Sequence, residues 1–159
     1  MNSVVIFGSR YGNTRKLAET IADVLRKHGA VQLVSAEKAP AVFADSTDLV
    51  VIGGPTEAHR MSEPVARFFD RIAKGALAGR AAAGFDTRFR APAWLSGSAG
   101  SGIETRLRQA GARVIAPEVS FFVSGKLPEL DSGELERAAA WAVLLAVKAK
   151  SQQPVAAGL

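Results

Sequence analysis

Cysteine is absent from this chain, which excludes disulfides, thiolate nucleophiles and cysteine-ligated metal or iron–sulfur centres. Any redox chemistry must therefore come from a bound cofactor. Long apolar runs are absent as well: the longest, Ala138 to Val147, is about half a membrane span. The opening residues lack the charged lead and apolar core of a secretory signal, because a strand pattern starts at Val4 and meets Arg10. A soluble cytoplasmic protein with no membrane partner is expected. No metal-spaced histidines, no Ser-His-Asp set and no catalytic carboxylate pair can be assembled. Acidic residues are in deficit, with 15 Asp and Glu against 20 Lys and Arg, a net charge of +5. The basic residues are scattered and no aromatic-interleaved motif accompanies them, so nucleic-acid binding is not expected.

What is present suffices for one ordinary domain: 159 residues, 48% of them hydrophobic. The expected domain spans residues 1–150, with Ser151–Leu159 a disordered tail. Strand patterns at Val4–Phe7, Val31–Val34, Leu49–Ile52 and Arg80–Phe85 alternate with helical ones, and a fifth strand over Arg113–Ile115 and Val119–Val123 is broken at Pro117. The third strand is apolar throughout, as in a parallel sheet covered on both faces. Helices are expected after Thr14, after Ser62-Glu63-Pro64, after a capping box at Ser101 and Glu104, and from Asp131-x-x-Glu134 to about Lys148. Strand–helix alternation implies an α/β fold, a doubly wound parallel sheet whose ligands bind beyond the carboxyl ends of the strands. Ser9–Thr14, Pro55–Met61 and the irregular stretch Asp86–Gly100 lie at those ends and should share one site.

The first of these loops carries the most chemistry. Ser9, Thr14 and Asn13 supply hydroxyl and amide groups, Gly12 frees the backbone, and a helix N-terminus favours an anion. Arg15 and Lys16 occupy the first helical turn, where the dipole disfavours cations unless an anion is bound beside them. The spacing matches neither a Walker loop nor G-x-G-x-x-G, so it points to a phosphate monoester. Serine, asparagine and threonine are also common caps, and a plain helix start stays open on spacing alone.

Ser9-Arg10-Tyr11-Gly12-Asn13-Thr14 after the first strand, with Gly53-Gly54-Pro55-Thr56 after the third, resembles the flavodoxin family across nearly the whole chain. The resemblance implies a flavodoxin-like three-layer sandwich, a five-stranded sheet of order 2-1-3-4-5 in its short-chain form, and noncovalent FMN. It implies that Ser9, Arg10, Tyr11, Gly12, Asn13 and Thr14 hold the FMN phosphate. Pro55, Thr56, Glu57, Ala58, His59, Arg60 and Met61 would approach one flavin face and N5, and Phe85, Asp86, Thr87 and Arg88 the pyrimidine edge. Trp94, or Phe89, is the aromatic expected to stack on the ring.

Two departures qualify this. The family often places a glycine beside N5, where Glu57-Ala58-His59-Arg60 stands here, which counts against one-electron chemistry. Arg60, Arg88 and Arg90 are expected around the flavin, where cations favour the anionic reduced ring. The leading expectation is a redox protein passing electrons between a reductase and an acceptor enzyme. The alternatives are an FMN-dependent NAD(P)H:quinone or nitro reductase and a flavin-free scaffold of the same fold.

Overall fold

The computed structural model describes residues 1–96 and 98–152. In chain order the elements are β1 (Ser3–Phe7), α1 (Asn13–Arg26), β2 (Val31–Ser35), β3 (Leu49–Glu57), β4 (Arg60–Met61), α2 (Glu63–Arg71) and β5 (Ala81–Phe89). There follow α3 (Ala93–Ser96), α4 (Ala99–Gln109), β6 (Arg113–Val114), β7 (Val119–Ser124), β8 (Glu129–Leu130) and α5 (Glu134–Ser151). The sheet runs β2-β1-β3-β5-β7-β8, with β4 on β3 and β6 on β5. Reduced to its parallel strands, and with the broken pair β6 and β7 taken as the fifth, this is the order 2-1-3-4-5.

Two apolar layers sandwich that sheet. On one side α1 and α5 bury Leu17, Ile21, Leu25, Trp141 and Leu145 against Val5, Val51 and Phe85. On the other, α2 and α4 bury Val65, Phe68, Phe69, Ile103 and Leu107 against Ile6, Val50 and Ile52. Alternating β3 residues thus enter opposite layers, which is why the strand reads as apolar throughout. Gly53 is required by close approach: a Cβ there would lie 2.0 Å from the Phe85 ring. Phe85 packs edge-on against Phe121 and Trp141 at 5.9 and 6.0 Å between centroids.

The structure differs from the sequence reading at five places. Thr56–Met61 is a hairpin rather than a loop, because β3 continues past Pro55 and pairs Thr56 with Met61 and Glu57 with Arg60. β5 extends to Phe89, held by the register of Asp86–Phe89 with Ser120–Val123. The cap of α4 is Ser98 instead of Ser101: Ser98 Oγ accepts the Ser101 N–H, while Glu104 turns to the Glu118 N–H and Arg108. β8, antiparallel to β7, has no counterpart in the expected five strands. Finally α5 starts after Gly133 and runs to Ser151, so the expected tail begins inside the helix, and residues 153–159 lie outside the described residues.

Glu134 opens α5 from within the fold. Burial alone would raise its carboxyl, but the Arg137 guanidinium and the Phe122 N–H, donating at 2.7 Å, leave it below its ordinary value.

Candidate functional site

Beyond the carboxyl ends of β1, β3 and β5 lies an open-mouthed cleft of about 230 Å³. Its floor is the turn from β1 into α1. Gly12 sits at φ 88°, a left-handed conformation suited to glycine. Ser9 Oγ accepts the Gly12 N–H at 3.1 Å and the Arg15 N–H at 3.4 Å, which folds the turn over the helix end. Helix geometry leaves the N–H groups of Asn13 and Thr14 without intrahelical acceptors, at the positive end of the dipole.

The side chains of this turn are buttressed from behind. Asn13 Nδ2 donates to the Pro128 carbonyl at 2.7 Å, and the Thr14 and Thr87 hydroxyls lie 3.1 Å apart. The second contact ties the first crest segment to the third. Pro128 and Val123 also line the cleft and are absent from the expected site. Val123 ends the expected fifth strand, while the turn-forming run Gly125-Lys126-Leu127-Pro128 is the sequence signal for Pro128, which the β7–β8 hairpin brings across.

The β3–β4 hairpin forms one wall. Its two central residues, Ala58 and His59, have φ of 45° and 68°, as a two-residue hairpin turn of the primed kind requires. Both are non-glycine residues in the region that costs most L-residues about 1–2 kcal/mol. Pro55, Thr56, Glu57 and Ala58 line the cleft. His59 and Arg60 are exposed and Met61 is half-buried, all three outside the lining.

The other wall is the end of β5. Thr87, Arg88 and Phe89 line the cleft, whereas the Phe85 side chain is in the core. Asp86 is fully buried and organises the crest from below. Its Oδ2 accepts the Thr56 hydroxyl at 2.9 Å, the Ser98 hydroxyl at 3.0 Å and the Gly100 N–H at 3.0 Å. Thr56 Oγ1 in turn accepts the Ala99 N–H at 2.8 Å. One carboxylate thereby joins the hairpin, β5 and the start of α4, and turns the Thr56 hydroxyl away from the ligand space. Asp86 Oδ1 is buried without a partner among the described residues, a cost that three donors on the other oxygen offset.

Trp94 is 84% exposed on the short α3 and does not line the cleft. The aromatic rings that do are Phe89 and Tyr11, exposed by 52% and 56%. Arg10 lies 5.4 Å over the Tyr11 ring. Arg88 and Arg90 are turned to structural partners: Arg88 donates to Ser120 Oγ at 2.9 Å and to the Ala91 carbonyl at 2.8 Å, and Arg90 lies 4.2 Å over Phe122.

Behind Asp86, the Glu118 carboxyl is raised above its ordinary value, chiefly by its bond to Glu104 and then by burial, with Asp86 adding like charge. Glu104 is correspondingly lowered, by Glu118 and then by Arg108. Among the described residues no cluster of acidic or histidine side chains could hold a metal ion. The cleft is thus equipped to bind an anion and a flat ring, with no histidine in its lining to move a proton.

A family model described as the flavodoxin domain matches residues 4–93, which contain the first two crest segments and β5. The chain belongs to the flavodoxin family. Its flavodoxin fold recurs in oxidised flavodoxin 1 from Bacillus cereus, 21% identical, with a TM-score of 0.76 over 96% of this chain and 99% of that one. A flavodoxin, WrbA-like protein from Agrobacterium tumefaciens is 19% identical, with a TM-score of 0.73 over 96% and 99% of the two chains. Rubredoxin oxygen:oxidoreductase from Desulfovibrio gigas is 18% identical, with a TM-score of 0.75 over 97% of this chain and 37% of that one. At these identities the likeness concerns the fold. No match was found among curated protein sequences.

Proposed function

We propose that this member of the flavodoxin family binds FMN noncovalently and carries electrons between a reductase and an acceptor protein. The observation that carries the reading is the convergence of a donor-rich helix N-terminus with two further crest segments around one open cleft. The residues fit the group. The backbone N–H groups of Asn13 and Thr14, with the Ser9 hydroxyl, would hold the phosphate; the backbones of Pro55–Ala58 and Thr87–Phe89 would flank the ring. Phe89 and Tyr11 offer flat apolar faces that exclude water from it. At about 230 Å³ the cleft is smaller than the roughly 300–1,000 Å³ of sites that engulf a ligand, so a ring edge remains at the surface for electron exchange. FMN supplies the redox capacity when bound, which a chain without cysteine needs.

The test is the absorption spectrum of the protein as isolated, followed by an FMN fluorescence-quenching titration. A yellow protein, or stoichiometric quenching that weakens when Asn13 and Thr14 are both replaced by alanine, supports the reading. A colourless protein that quenches nothing overturns it.

A second reading, an FMN-dependent NAD(P)H:quinone reductase, is favoured by the non-glycine turn at Ala58-His59 beside the cleft. Sustained NADH or NADPH oxidation by the FMN-loaded protein with a quinone, and no added reductase, selects this reading over the carrier.

A further inference from the structure

The apolar run Ala138 to Val147 exceeds what the fold buries. α5 turns Ala138, Trp141, Ala142, Leu145 and Ala146 into the core. Its opposite face carries Ala140, Val143, Leu144 and Val147, a second apolar stripe at i, i+3, i+4 and i+7. Val143, Leu144 and Val147 are 48%, 44% and 60% exposed. A helix apolar on both sides is normally covered on both sides. α1, its neighbour in the same layer, shows what an open face looks like here: Arg15, Lys16, Asp23, Arg26 and Lys27 point outward, with ion pairs from Arg15 to Glu19 and from Arg26 to Asp23.

We infer that the outer face of α5 is a self-association surface, occupied by α5 of a second copy of this chain in an antiparallel, two-fold arrangement. The charge layout selects that occupant. Exposed Glu136 continues the stripe at its N-terminal end, and exposed Lys150 at its C-terminal end. A two-fold axis passing between Val143 and Leu144 sets Val143 on the copy's Leu144, Ala140 on Val147, and Glu136 beside Lys150. Both ends then pair opposite charges, the helix dipoles run antiparallel, and small Ala140 admits close approach. Lys150 Nζ already contacts His28 Nδ1 at 3.0 Å, which uses one of its three donor positions. An anionic membrane is a poorer occupant, because Glu136 rather than a base continues the stripe at that end. None of these residues lines the crest cleft, so both clefts of the pair stay open. A single pair of helix faces belongs among the smallest specific interfaces, below about 1,200 Å², so the association is reversible and concentration-dependent.

Sedimentation velocity on the full chain, from micromolar to submillimolar concentration, tests this. The expected result is a monomer–dimer equilibrium that Val143→Glu weakens by about tenfold or more, with the circular dichroism spectrum and melting curve unchanged. Val143→Ser reports the same loss should the glutamate variant not fold. Glu136→Lys should also weaken the dimer, and Glu136→Lys with Lys150→Glu should restore it. A wild-type chain that stays monomeric throughout overturns the inference, as does a dimer indifferent to both Val143 variants. Wild-type protein that is monomeric but co-floats with phosphatidylcholine–phosphatidylglycerol vesicles would assign the stripe to lipid and overturn it equally.

Discussion

Replacing Ala58 by glycine should stabilise the protein while weakening the proposed FMN binding. Ala58 has φ 45° in a turn whose partner residue His59 has φ 68°, and both ends of the turn are pinned by pairing of Glu57 with Arg60. Holding an L-residue there costs about 1–2 kcal/mol, which glycine removes. Glycine also gains conformational freedom in the unfolded chain, which takes back about 0.4–1 kcal/mol. The net expectation is a stabilisation of about 0.5–1 kcal/mol, or an upward shift of about 1–4 °C for a domain of this length. His59→Gly should gain less, since histidine tolerates the left-handed region better than alanine. Ala58→Val should lose about 1 kcal/mol or more, because branching at Cβ makes that conformation a genuine outlier. Urea unfolding with an unchanged slope is the assay. The same turn lines the cleft, so Ala58→Gly should weaken FMN binding by a few-fold even as the midpoint rises. Refutation would be a series in which glycine destabilises, or in which valine and glycine behave alike; the turn would then not be held left-handed.

Three further outcomes are expected. Asp86→Ala strands the Gly100 N–H and two hydroxyls and should destabilise by about 3 kcal/mol or more, whereas Asp86→Asn keeps an acceptor for them and should lose about 1–2 kcal/mol; equal losses would dissolve the proposed junction. Gly53→Ala drives a methyl to 2.0 Å from the Phe85 ring and should lose about 3 kcal/mol or fail to fold, and near-neutral unfolding data would contradict that packing. Because the folded-state Glu118 carboxyl is raised above 4.5, it favours the folded state below that value, and its contribution disappears as pH rises through the raised value. Glu104, lowered from 4.5, acts in the opposite sense: its contribution is present above 4.5 and is lost as pH falls through the lowered value. Glu118→Gln should therefore flatten the decline of stability with rising pH just above 4.5, and an unchanged profile in pH-dependent urea unfolding would count against the shared carboxyl pair.

Much of the architecture was legible from local signals. The strand–helix alternation needed only the apolar periods, and the order of the parallel strands followed from the resemblance carried by Ser9–Thr14 and Gly53–Thr56. Capping was less legible. Ser101 and Glu104 satisfy the spacing of a capping box, yet Ser98 wins the position because Asp86 draws its hydroxyl and the Gly100 N–H to one oxygen. The short β8 and the wall at Pro128 depend on a pairing with β7 that no local pattern encodes. Trp94 invited a stacking role by being a large aromatic in a polar segment, but the path of the chain after β5 carries it outward and leaves Phe89 and Tyr11 at the cleft.

By itself the sequence determined the class of the protein: the apolar periods and the motifs of two crest turns suffice to place a parallel sheet with helices on both faces. Only the tertiary structure decided which groups meet there and which face is left uncovered. Asp86 meets Thr56, Asn13 meets Pro128, and a helix apolar on both sides is buried on one. The reason is physical: hydrophobic patterning records how much surface must leave water, whereas hydrogen bonds between distant segments form only once packing has fixed their separation and direction.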